Sequence, residues 1–148
     1  MRTAFASALL AAAVTCAVAP KAPAQERRLA QVDSALARIK RALGPSYFEA
    51  QQQMTRQFYS DPSPKTESWQ PTRGSYVILA AGEERVAGIV LRLIGPDSAV
   101  VSADTSGSTT PRINLTAPVH GTRYRLVYAP TNCSQFPCYV GLQIMQRR

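Results

Sequence analysis

The chain has 148 residues, a formal charge of +8, and 45% hydrophobic against 18% charged residues. That length suits one ordinary domain, and the apolar content excludes a wholly disordered chain. Its basic residues are scattered or in short pairs such as Arg27-Arg28 and Arg147-Arg148, not gathered into an aromatic-interleaved stripe, which argues against nucleic-acid binding.

The N-terminus begins with Arg2, continues as an uncharged Ala-rich run from Thr3 to Ala19, and ends in Pro20-Lys21-Ala22-Pro23-Ala24. A basic start, a short apolar stretch and an A-x-A site are the parts of a secretion signal, here residues 1–24, with Ala17-Val18-Ala19 as a second cleavage site. The run is too short to cross a bilayer as a helix, so no transmembrane segment is expected after signal removal. Cys16 offers a minor lipoprotein option, which Thr15 in front of it fits poorly. A secreted or periplasmic bacterial product follows.

Residues 25–60 read as a helical segment of one or two helices. Leu29, Val32, Leu36, Ile39 and Leu43 recur at steps of three and four, one apolar stripe on a helix. Arg38, Lys40 and Arg41 suit its C-terminal dipole, and Gly44-Pro45 stops it. Ser46-Tyr47-Phe48-Glu49 has capping-box form, predicting a second helix with Ala50, Met54 and Phe58 on one face. Asp61-Pro62-Ser63-Pro64 ends that helix and opens a linker over 61–68.

From 69 to 148 the pattern is β. Strands are expected at Tyr76–Leu79, Val86–Ile94, Ala99–Ala103, Arg112–Thr116, Arg123–Tyr128 and Cys138–Met145, with turn residues about every ten positions. Ile89, Leu91 and Leu93 share one face of their strand; Tyr124, Leu126 and Tyr128 point inward; Val140, Leu142 and Ile144 alternate with Tyr139, Gly141 and Gln143. Glu83-Glu84 reads as a pair of solvated turn charges. The fold class is mainly β, an antiparallel, jelly-roll-like β-sandwich preceded by the N-terminal helical segment.

Removing Cys16 with the signal leaves Cys133 and Cys138. A close pair in an exported chain reads as a disulfide, here tightening a hairpin between the last two strands and contributing about 2 kcal/mol. A metal or redox pair would want two intervening residues, and Ser134-Gln135-Phe136-Pro137 makes four.

Gly82-Glu83, Leu91-Arg92-Leu93 with Gly95-Pro96-Asp97, Val101-Ser102-Ala103-Asp104, Leu115-Thr116-Ala117-Pro118 and Gly121 to Leu126 together resemble the pre-peptidase C-terminal (PPC-like) domain family, bacterial secreted β-sandwiches often appended to extracellular proteases. The ending from Asn132 to Ile144 is similar to stand-alone secreted sandwiches with a C-terminal cysteine pair. The resemblance spans about residues 70–146 and implies a fold more than an activity. Some such sandwiches hold calcium on aspartates; Asp97 and Asp104 are the weak candidates, better read as turn residues.

His120, the single histidine, lies in an expected turn, and there is neither a G-x-S-x-G elbow nor a phosphate loop. No cofactor is expected. Trp69, Tyr76 and Tyr139 are the candidate ligand-contacting aromatics. The reading is a non-catalytic exported module that binds an unknown protein or glycan at the cell envelope. The alternatives are a small secreted hydrolase using His120 and an envelope structural protein self-associating through the Leu29-to-Leu43 stripe.

Overall fold

The computed structural model describes residues 22–50, 55–118 and 121–148. The expected secretion signal up to Lys21, with Cys16, lies outside the described residues, as does His120. Among the described residues, one helix, α1 (Ala22–Leu43), is followed by nine strands: β1 (Tyr47–Glu49), β2 (Thr55–Tyr59), β3 (Lys65–Trp69), β4 (Gly74–Gly82), β5 (Val86–Ile94), β6 (Val100–Asp104), β7 (Arg112–Ala117), β8 (Tyr124–Cys133) and β9 (Cys138–Arg147). They make an antiparallel β-sandwich. The five-stranded sheet runs β1-β9-β4-β7, with β2 pairing the same β9 further along, and the four-stranded sheet runs β3-β8-β5-β6.

The helix obeys its stripe. Val32 and Leu36 are 0% and 2% exposed, and Leu29, Ile39 and Leu43 flank them against the outer face of the five-stranded sheet. Gly44 takes a left-handed φ of 83°, and its N–H donates to the Arg41 carbonyl, ending the helix. The stripe is therefore spent inside the molecule, against the reading of it as a self-association surface.

Strands β4 and β9 run between α1 and the second sheet, so both of their faces are buried. On β4, Tyr76, Ile78 and Ala80 face the inter-sheet core while Val77, Leu79 and Ala81 face the helix. On β9, Val140, Leu142 and Ile144 face the core and Tyr139 and Met145 the helix, as the alternation predicts. Gly141 makes the crossing possible: a Cβ there would lie 2.4 Å from Val32 Cγ1 and 2.8 Å from Leu36 Cδ1.

Three expectations need correction. The predicted second helix is β1 and β2. Glu49 pairs with Lys40 of α1 instead of capping anything, and β1 and β2 complete the edge of β9 through backbone pairs such as Phe48 with Gln146 and Gln57 with Val140. An open strand edge offers a full hydrogen-bond ladder, which a two-turn helix of β-prone Tyr, Phe and Thr cannot match.

The 61–68 linker is half strand, because β3 starts at Lys65 and pairs with β8 from Lys65–Tyr128 to Trp69–Tyr124. Finally, β8 and β9 form no hairpin: they belong to different sheets. From β2 onward every connection except β5–β6 crosses between the sheets.

Candidate functional site

The two outer faces of the sandwich differ. The five-stranded sheet has α1 lying on it. The helix is held at its flanks by a bidentate Arg56–Asp33 pair (2.9 and 2.7 Å), the Lys40–Glu49 ion pair, and Gln31 donating to Glu84 Oε2 at 3.0 Å. The four-stranded sheet has no such cover among the described residues.

Register places its outward side chains in rows. One row runs Thr66, Val127, Arg92, Ala103, and the next Ser68, Arg125, Ile94, Val100. Val90 and Ala129 pair beyond them. Val100 and Val101 are 58% and 49% exposed, unusual for valines in a strand. The charged side chains at outward positions of these strands are Arg92 and Arg125, both exposed, and no carboxylate accompanies them there among the described residues. Each guanidinium sits in a row with an aliphatic side chain, Val127 beside Arg92 and Ile94 beside Arg125.

Two shallow cavities mark this face. One of about 210 Å³ lies between Pro64, Val90, Arg92, Val127 and Thr131. Another of about 280 Å³ lies at the β5–β6 turn, where Arg125 Nη2 donates to Ser98 Oγ at 3.2 Å and Arg123 adds a further positive charge. The turn is self-braced: Gly95 N donates to the Ala99 carbonyl at 2.8 Å, and Ala99 N to Asp97 Oδ1 at 3.1 Å.

The aromatics proposed for ligand contact do something else. Trp69, Tyr76 and Tyr139 are 4%, 3% and 6% exposed. Trp69 stacks edge-on against Tyr76 at 5.0 Å within the inter-sheet core, and Tyr139 packs under α1 with its ring edge-on to Phe58. Large aromatic area at the end of a small sandwich is worth more buried than exposed. Sugar stacking on these three rings is therefore excluded as first read.

Asp97 and Asp104 are likewise occupied. Asp104 accepts from Ser106 N and Oγ and from Arg112 N, and the Ser106 contacts hold its carboxyl below the ordinary range. Asp97 serves Ala99. Both are turn acceptors, and no cluster of three metal-ligating side chains occurs among the described residues.

The sequence reading missed Glu83. Where Glu84 stays exposed, Glu83 is 2% exposed, and neither of its carboxylate oxygens has a hydrogen-bond partner among the described residues. It lines a groove of about 560 Å³ between α1 and the β4–β5 turn, with Arg27, Gln31, Ser34 and Arg38 on the opposite wall. Burial pushes its carboxyl up, and the Arg85 amide with the Arg28 and Arg85 charges offsets only part of that. The signal was positional: Glu83 continues the helix-facing series Val77, Leu79, Ala81. Its oxygens are closed to solvent, and the groove's accessible carboxylate, Glu84, is already held by Gln31, so the exposed arginine–valine face is the better candidate site.

No family model matches the chain, and no curated protein matches it. Among solved structures the chain is similar to that of Aeromonas hydrophila PliG, a periplasmic lysozyme inhibitor of g-type lysozyme. The identity is 11% and the TM-score 0.41, over 71% of this chain and 88% of that one.

Proposed function

We propose that this chain is an exported, non-catalytic β-sandwich module, of the PPC-like kind, that binds an acidic protein surface at the cell envelope or outside the cell. Its contact face is the outer face of the four-stranded sheet. The observation that carries this reading is the asymmetry of the sandwich. One outer face is covered by the chain's own helix, while the other, among the described residues, is left open with Arg92 and Arg125 set among valines and isoleucine and without a balancing carboxylate.

Arginine stems over aliphatic side chains bury apolar area while the guanidinium heads recognise carboxylates. Charge complementarity of that kind sets the partner's chemistry and speeds encounter. The helix stripe is already spent, and the aromatics that would stack on a sugar are inside, which leaves a protein as the occupant that fits.

The test places a photocrosslinking residue at Val127, and as a control at Thr116 on β7. A protein captured from Val127 and not from Thr116 is identified, purified and titrated with the full chain. Arg92→Glu with Arg125→Glu is expected to weaken that binding at least about tenfold, with no change in melting temperature. Equal capture from Thr116, or unchanged binding by the double variant, would sink the reading.

A further inference from the structure

Cys133 closes β8 and Cys138 opens β9, so four residues of chain carry the backbone from one sheet to the other. Cys138 is fully buried within the inter-sheet core, and half-buried Cys133 packs against that same core with Phe136. Both side chains thus point into one interior, at the corner where the sheets meet. Both are thiols here, and Cys133 Sγ donates to the Gln135 carbonyl at 3.3 Å. The Cys138 thiol is pushed well above its ordinary value, by burial first and then by its hydrogen-bonded neighbour Cys133.

The corner also supports the helix. Ser134 N donates to the Arg85 carbonyl at 2.9 Å, and the Pro137 carbonyl accepts from Arg28 of α1 at 3.4 Å. The backbone between the sulfurs is therefore a shelf shared by both sheets and by α1.

We propose that Cys133 and Cys138 form a site of oxidation at which a small disulfide donor staples the two sheets together, Cys133 reacting first and Cys138 resolving. In the first exchange the Cys133 sulfur attacks the donor's S–S bond. A mixed disulfide forms, and one donor thiol leaves with the Cys133 proton. In the second, the Cys138 sulfur attacks the Cys133 sulfur, the mixed bond breaks, and the other donor thiol leaves with the Cys138 proton. Two protein thiols are oxidised and one donor disulfide is reduced. The order follows from access: Cys133 is half-exposed, whereas no donor reaches Cys138 in the folded chain. The result is an inter-sheet staple, where the sequence alone suggests a tightened hairpin.

The probe is oxidised glutathione, added to the reduced full chain and followed by intact mass. The wild type is expected to lose two hydrogens and to keep no glutathione. Cys138→Ser is expected to stop at one stable glutathione adduct, and Cys133→Ser to take up glutathione at least about tenfold more slowly. Cys138→Ala repeats the trapping experiment should the serine variant fold poorly.

Oxidised wild type is expected to melt roughly 5–10 °C above the reduced form, whereas the oxidant is expected to raise the melting temperature of neither single variant. A wild type that keeps two alkylatable thiols, or that ends as a glutathione adduct, overturns the staple. Equal rates for Cys133→Ser and Cys138→Ser overturn the assigned order.

Discussion

Glu83 ends the helix-facing series of β4, its N–H donating to the Tyr139 carbonyl at 3.2 Å and its carboxyl closed off beneath α1. Arg28 from the helix, Arg85 and Glu84 from its own turn, and Cys138 from β9 are the titratable groups that feel it. Burial raises its proton affinity in the folded state above that in the unfolded chain. The folded state therefore holds this proton when the unfolded state has released it. Stability is fullest below the ordinary glutamate value and falls as pH climbs through the raised one. Glu83→Gln removes that fall. Urea melts of the two proteins should coincide at low pH and diverge near neutrality, with the Gln variant more stable by on the order of 1 kcal/mol. Parallel curves at every pH would show that the carboxyl is not strained by burial. Gly141 is the second such residue. With Val32 and Leu36 of α1 pressed on its bare backbone, Gly141→Ala should cost about 1–3 kcal/mol in the same melts, by lifting the helix off β9.

The elements show what periodicity reveals and where it stops. The alternation in β5 and β9 was legible because each strand has a defined inner face, and the helix stripe because one face meets a sheet. The series on β4 reads only as an unbroken apolar run, since α1 covers its second face, and nothing local in Tyr76 to Ala81 says so. Ser46 to Glu49 misleads for a related reason: a capping box is a local motif, and the competing partner, the edge of β9, lies about a hundred residues away. Tyr76 and Tyr139 fall on expected strands and Trp69 on one that was not expected, yet the side of the sheet each takes depends on pairing that the sequence does not display. The arginine–valine face was hidden in the same way, because Arg92 and Arg125 become neighbours only through the β5–β8 register.

Long-range pairing also closes the sandwich's open side. There Glu67 of β3 accepts from Tyr128 of β8 and, from β2, from Gln57 Nε2 at 3.1 Å and Thr55 Oγ1 at 3.0 Å. Tyr59 Oη donates to the Tyr128 carbonyl at 2.8 Å, completing a clasp between the sheets. Burial, then the Glu67 bond, holds the Tyr128 phenol protonated well beyond its ordinary range, so it remains a donor. Glu67→Ala strands three donors at once and is expected to cost about 2–3 kcal/mol in thermal or urea unfolding. A cost below about 0.5 kcal/mol would mean that water satisfies the clasp as well as Glu67 does.

At the scale of the whole molecule, the division into a helical segment and a separate sandwich gives way to three layers that share the five-stranded sheet. Helix α1 contributes Val32 and Leu36 to a core whose other side is Val77, Leu79, Ala81, Tyr139 and Met145, and β4 and β9 carry that core on one face and the inter-sheet core on the other. Neither strand can lose its helix cover without exposing the apolar side chains of Val77, Leu79, Ala81 and Met145 to water. Such sharing couples the layers, so the chain should unfold as one cooperative unit. The sequence provides its own reporter of the far side, since Trp69 is the single tryptophan and stands in the inter-sheet core against Tyr76 and Tyr124, away from α1. Helical ellipticity and Trp69 fluorescence, followed in one urea titration, are expected to give superimposable transitions with a common midpoint. Helix loss at lower urea than the Trp69 transition would instead make α1 a detachable cover. The five-stranded sheet would then join the four-stranded one as a surface open to partners.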